Sequence, residues 1–219
     1  MVARSSVSVP GPRWQRRPEA RPDEILDAAQ RVFGESGFAG TRLDVVAREA
    51  GVSKGTLYLY FDSKEALFRE MIRARVVSGL ADGEEVAARH QGTSSDLLIQ
   101  LVTCMYGTMR QPSMVKISRL VHAELRNFPE LAQFYYDEVI LRSRRLLQEV
   151  LDSGVASGEF RRSAPAFAAR GIPAMLVNTA QHQCLFGGLD PEALTDEQAL
   201  AGVLDLCLNG VLDRPAAPR

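Results

Sequence analysis

The chain is short of the residues that usually announce chemistry. Its 219 residues include three cysteines and three histidines. Cys104, Cys184 and Cys207 are far apart, odd in number and form no CxxC. A disulfide scaffold and a thiolate metal site are therefore excluded, and reduced thiols packed among apolar neighbours are expected. His90, His122 and His182 show no HxxxH spacing, so no metal site is expected. There is no Ser/His/Asp set and no phosphate-cradling glycine loop. The expectation is a protein that is not an enzyme, with no catalytic residue and no cofactor. No apolar run approaches the length of a membrane span, and the arginine-containing N-terminus has no apolar core of a secretory leader. The chain is expected to be cytoplasmic and to have no membrane partner. The net charge of -1 gives no global attraction to a polyanion.

Helical periodicity is what the chain does have, with 46% hydrophobic residues to form a core. Residues 1–21, MVARSSVSVPGPRWQRRPEAR, lack an apolar face and read as a disordered Arg/Pro-rich tail. From Pro22 onward Ile25, Ala28, Ala29, Val32 and Phe33 share one helical face, and Gly34 and Gly37 are expected to end that helix. A short helix over 41–50 follows, with Thr41 as its expected N-cap. Ser53 caps a third over 54–61, and Asp62 or Ser63 caps a long fourth running to Ala88. Helices are then expected over 94–109, 113–127, 129–155 and 164–186, the last kinked at Pro173. A final helix starts at Glu192 or Thr195 and runs to Asp213. No strand and no repeat is found. The fold class is all-α.

One window is more specific. Residues 49–61, EAGVSKGTLYLYF, join two short helices through Gly51. A helix-turn-helix needs a small residue where the helices cross (Ala47) and a turn residue tolerant of positive φ (Gly51). It also needs apolar packing between the helices, here Val46, Ala50, Val52, Leu57 and Tyr60 or Phe61. In such a motif the N-terminal residues of the second helix lie nearest the bases of the major groove. Lys54 suits a phosphate or a guanine edge, Gly55 permits close approach, and Thr56 offers a hydroxyl and a methyl. Tyr58 and Tyr60 diverge on the helix surface. Lys64 suits a phosphate.

These residues resemble a known family. The run Thr41 to Leu67, TRLDVVAREAGVSKGTLYLYFDSKEAL, with the preceding ILDAAQRVFGESGFAGT, is similar to the DNA-binding region of the TetR/AcrR transcriptional repressors. The resemblance covers about Pro22 to Met71. It implies a homodimer with an N-terminal three-helix helix-turn-helix DNA-binding domain (22–68) and a larger helical ligand-binding and dimerisation domain (69–219). It implies DNA contacts at Thr41, Arg42, Lys54, Gly55, Thr56, Tyr58, Tyr60 and Lys64. One departure is that the acid often found at the position of Val45 stands here at Asp44. The implied dimer interface is a four-helix bundle from the last two helices of each copy.

Within the C-terminal part the candidates for an effector pocket are Met105, Tyr106, Met109, His122, Phe134, Met175, Asn178 and His182, with Cys104, Tyr135 and Gln181 beside them. The absence of an arginine cluster along these helices points to a neutral, apolar small molecule. The expected function is a ligand-responsive repressor released from a palindromic double-stranded DNA operator. The alternative is a ligand-independent DNA-binding protein with a filled C-terminal core.

Overall fold

The computed structural model describes residues 21–162 and 165–211, so the N-terminal tail expectation lies outside the described residues. Eleven α-helices, two π-helical stretches and one 3₁₀ turn are present among them, with no strand. α1 (Arg21–Gly40) begins with Asp23 and Glu24 at the positive end of its dipole. It does not end at Gly34, which stays helical. The chain leaves helical geometry at Gly37, with φ 71° and ψ 171°, a conformation open to a residue without a Cβ.

Thr41 is not the cap expected of it. α2 (Leu43–Glu49) has Arg42 at its N-cap with no side-chain cap. The Thr41 hydroxyl instead donates to the Gly37 carbonyl at 2.7 Å, and the residue is buried. Carbonyls left without partners where α1 breaks compete for that donor and win. They take Lys64 too, whose Nζ donates to Ala39 and Thr41 carbonyls at 3.2 Å each and lies 4.7 Å from the Phe38 ring centroid.

The turn after α2 has a defined pattern. The Val52 N–H donates to the Ala47 carbonyl at 2.9 Å and the Gly51 N–H to Arg48 at 3.1 Å, with Gly51 at φ 65°. This is the Schellman arrangement, which requires the left-handed residue that glycine supplies. Ser53 then caps α3 (Lys54–Tyr60) by accepting from the Thr56 N–H at 3.0 Å. Leu57 and Phe61 turn into the core while Tyr60 stays largely outside, which settles the choice between Tyr60 and Phe61.

Ser63 caps α4 (Lys64–Ile72), which continues without a break through a π-helical stretch (Arg73–Val77) into α5 (Ser78–Arg89). α6 is Ser94–Met109, and α7 is Pro112–Glu124, followed by a 3₁₀ turn (Leu125–Asn127). The next rod comprises α8 (Pro129–Tyr135), a second π stretch (Tyr136–Leu141) and α9 (Arg142–Ser157), ending at Gly158 with φ 82°. α10 (Pro165–Phe186) holds Pro173 inside it, and α11 (Asp196–Val211) starts after Thr195. Thr195 and Gln198 cap α11 reciprocally, each backbone N–H donating to the other's side-chain oxygen.

Two cores form. The first unites α1–α4 with side chains from α7, α8 and the second π stretch, among them Ile117, Leu120, Leu131 and Phe134. Its centre is aromatic: Phe38 stacks on Phe33 at 5.7 Å and meets Phe68 and Phe128 edge-on at 5.3 and 4.7 Å. The second core is mainly aliphatic and joins α6, α9, α10 and α11. The cysteine expectation holds only for Cys207, whose thiol burial pushes up to about 11. Cys104 and Cys184 are free and exposed.

Candidate nucleic-acid interface and ligand cavity

Packing of α2 against α3 leaves one surface of α3 open. Lys54 and Gly55 are exposed, Thr56 is half-buried beside its capping serine, and Tyr58 and Tyr60 are 43% and 41% exposed. The Lys54 ammonium lies 5.8 Å from the Tyr58 ring centroid, one turn along the helix. Leu59, absent from the sequence candidates, is 84% exposed, more than either tyrosine. Helical spacing offered the signal: Leu57 is inward, so Leu59 must be outward.

Two residues named for DNA contact are otherwise engaged. Thr41 is buried with its hydroxyl on Gly37, and the Lys64 ammonium holds carbonyls at the end of α1. Both act inside the chain, fixing the corner from which α2 departs. Arg42 is exposed and pairs with Asp44 at 3.1 Å. That hydrogen bond holds the Asp44 carboxyl below its usual range, with a smaller contribution from Lys54. The displaced acid noted in the sequence therefore offsets the charge of the arginine beside it.

A cavity of about 750 Å³ opens on the other side of the long rods. Val76, Gly79, Leu80 and Gly83 reach it from the α4–α5 rod, and Tyr135, Val139 and Ile140 from the second π stretch and its approach. α6, α7, α9 and α10 complete it. Gly79 borders open space, since a Cβ there would meet nothing within 4 Å, whereas one on Gly83 would make ordinary contact with Leu146 at 3.4 Å and Leu101 at 3.7 Å. A glycine in the middle of an otherwise ordinary helix was the signal available in the sequence.

Of the expected pocket residues, Met105, Met109, His122 and Asn178 line the cavity, as do Cys104, Tyr135 and Gln181. The other four do not. Tyr106 is buried in the second core and donates its hydroxyl to Gln183 at 2.8 Å. Phe134 belongs to the first core, beneath the guanidinium groups of Arg69 and Arg73. Met175 packs on the second core, and His182 is exposed against Phe186. Each lies on its helix away from the void, which periodicity alone does not distinguish from the side facing it.

The polar groups of the cavity are few. Gln181 donates to the Ser118 hydroxyl at 2.8 Å, and His122 Nδ1 donates to the Ser118 carbonyl at 2.7 Å. Because a carbonyl only accepts, the neutral ring of His122 keeps Nε2 as its acceptor. Burial pushes the Tyr135 phenol up to about 12, so it remains a neutral donor. Arg144 and Arg170 also line the cavity. Among the described residues no group of His, Cys, Asp and Glu could hold a metal, and no helix is long and apolar enough to cross a membrane.

Residues 25–71 match the model of bacterial regulatory proteins of the tetR family, and residues 96–208 match the AefR-like transcriptional repressor C-terminal domain. The chain belongs to the TetR family. It is a DNA-binding transcriptional regulator, and its relatives carry the names of regulators rather than enzymes. It is 34% identical over 154 residues to the uncharacterized HTH-type transcriptional regulator YfiR of Bacillus subtilis, covering 67% of this chain and 71% of that one. It is 25% identical over 206 residues to the fatty acid metabolism regulator protein of the same organism, covering 90% and 97% of the two chains. The solved FadR from Bacillus subtilis, in complex with stearoyl-CoA, has the same TetR fold. It superposes with a TM-score of 0.70 at 23% identity, over 86% of this chain and 98% of that one.

Proposed function

We propose that this TetR-family regulator is a cytoplasmic, homodimeric repressor that leaves a palindromic operator when a small molecule enters the cavity. The observation that carries the reading is the cavity itself. A volume of about 750 Å³ lies within the roughly 300–1,000 Å³ range of small-molecule sites. It is bounded by the same continuous rod whose N-terminal end packs on the helix-turn-helix. A DNA-binding protein with a filled core would not leave the helix at Gly79 facing open space. The stearoyl-CoA held by the related FadR supports the same choice.

The dimer surface is proposed on α10 and α11. Phe167 is 81% exposed and Leu206 65% exposed, on helices that both also contribute to the second core. Two such copies would set two recognition helices on one face of the duplex, about one helical turn or more apart. At each half-site Lys54, Thr56, Tyr58 and Tyr60 would face the groove, with Arg42 on the backbone. Gly55 supports this placement. A Cβ there would sit 3.8 Å from Ser53 Oγ, an ordinary contact, so the need for a small residue comes from outside the chain. Release follows as a population shift: the effector must bind more tightly to the arrangement in which the two α3 helices are out of register with the groove.

The test is enrichment of host genomic fragments by the native protein and by Tyr58→Ala. A palindromic sequence enriched by the native protein alone is the expected result. Equal enrichment by both would show that α3 does not read bases.

A further inference from the structure

The cavity is charged in one sense. Among its lining residues are Arg144 on α9 and Arg170 on α10, and not one Asp or Glu. These two helices pack directly against each other. Neither arginine forms an ion pair among the described residues. Arg144 lies 5.7 Å from the Tyr136 ring and donates weakly to its hydroxyl at 3.5 Å, while Arg170 donates to the Ala166 carbonyl of its own helix. Their neighbours differ: Arg142, two residues before Arg144, is held by both oxygens of Glu84, and Arg110 is held by Asp196. The remaining wall is dominated by Leu, Ile, Val and Met, and its Gln181 and His122 each hydrogen-bond to Ser118.

Guanidinium groups are charged at every physiological pH. Arg144 is half-buried and Arg170 exposed, so both stand where the cavity meets solvent. An uncharged occupant leaves them unpaired, whereas one that carries an anion at its outer end gains charge-assisted hydrogen bonds from them while its apolar part lies against the wall. We infer that the effector is an amphipathic anion, with an aliphatic body against the Leu, Ile and Met wall and a carboxylate or phosphate group paired with Arg144 and Arg170. This replaces the neutral molecule expected from the sequence, because the two arginines stand on different helices and only the fold brings them to one cavity. The inference rests on the effector-binding reading given above.

Binding is measured calorimetrically on the full chain without DNA, using dodecanoate, dodecanoyl-coenzyme A and dodecanol, below their aggregation concentrations. At least one anion should bind about tenfold or more tighter than dodecanol, the loss expected for one charge-assisted hydrogen bond. Which anion does so separates a carboxylate from a phosphate-bearing head. The preference should collapse in Arg144→Gln/Arg170→Gln and persist in Arg144→Lys/Arg170→Lys, with unchanged helicity in both. Equal binding of dodecanol to the native protein, a preference that survives the glutamine pair, or no binding of any probe would overturn the inference. The fragment enrichment described above is read without any effector, so the DNA-binding reading stands or falls separately.

Discussion

Between α2 and α3 the chain is closed, and around Gly79 it is open. At the first glycine, Gly51, a Cβ would also meet nothing within 4 Å, but the positive φ serves a turn, and Val46, Ala47, Leu57 and Phe61 are buried where the two helices meet. At the second, φ is helical and the missing side chain leaves space that nothing in the chain fills. The helix-turn-helix is thus a rigid body presenting a surface, while the C-terminal part is a shell around a void. The aromatic core joins the two: Phe128, beyond α7, packs on Phe38 at the corner of α1. In the proposed release, movement at the cavity wall would act on the mount of the helix-turn-helix as well as on the α4–α5 rod.

The largest expected effect breaks the closed side. Phe38→Ala removes a fully buried ring that touches three others, and should cost about 3–5 kcal/mol. If the first core is one unit, denaturant unfolding followed by helicity and by tryptophan-free tertiary signals of the α7 and α8 region should shift together. Separate transitions would show that α7 and α8 do not share the core of the helix-turn-helix.

Tyr58→Ala attacks the surface instead of the core. Its ring is 43% exposed, so the thermal midpoint should stay within about 2 °C of native, the change expected for a surface site. Operator affinity should fall by about 1–3 kcal/mol, the scale of a lost base contact. Fluorescence anisotropy with the enriched operator checks it, and equal losses of stability and affinity would point to a structural role.

Gly79→Leu sharpens the contrast from the open side. Replacing a mid-helix glycine gains up to about 1 kcal/mol of helix propensity, and the new side chain enters the void instead of a packed neighbour. The variant should melt higher, bind operator normally and no longer respond to effector. A lowered melting temperature would mean that the void is not free to accept a side chain.

The two regions were not equally legible. Turn, cap and crossing constraints in residues 41–63 are local, so Gly51, Ser53, Ser63 and Leu57 could be assigned from sequence order. The partners of Thr41 and Lys64 were not legible because they are backbone carbonyls near the break in α1 at Gly37, up to 25 residues away. In the shell, helix spans were readable, but the direction of each face was not. Met105 and Tyr106 are adjacent on one helix, and only the second core decides that Tyr106 is inside it. The π stretches 73–77 and 136–141 were invisible because a helical pattern reads through them. They pack on one another beside the cavity, where such irregularity is common near functional sites.

Glu84 offers a pH test of the shell. Its bidentate hydrogen bonds from Arg142, at 2.5 Å, hold its carboxyl below the usual value of 4.5 and tie α5 to α9. A depressed carboxyl stabilises the fold above its unfolded pKa, and that contribution is lost as pH falls through the lower, folded value. Both side chains are about one-third exposed, so solvent limits the effect to about 1 kcal/mol or less. Native stability should therefore decline more steeply than that of Glu84→Gln below about pH 4.5, measured by melting across acid buffers. Parallel curves would remove the pair from the account of the shell.

The smallest effect lies on the surface of the closed side. Asp44 shares an exposed ion pair with Arg42, near Lys54 at the N-terminal end of α3. An approaching phosphate competes with that carboxylate for the guanidinium. Asp44→Asn removes the competitor and a like-charge repulsion, so operator affinity at low salt should rise by a few-fold. The gain should come with a steeper dependence on salt, because one more cation is released from the DNA when Arg42 takes a phosphate. A gain with an unchanged salt slope would mean that Asp44 acts by repelling the duplex rather than by holding Arg42. A loss of affinity would mean that the Asp44 contact is what aims Arg42 at the backbone. Either departure would redefine what the acid one position early does for the recognition surface.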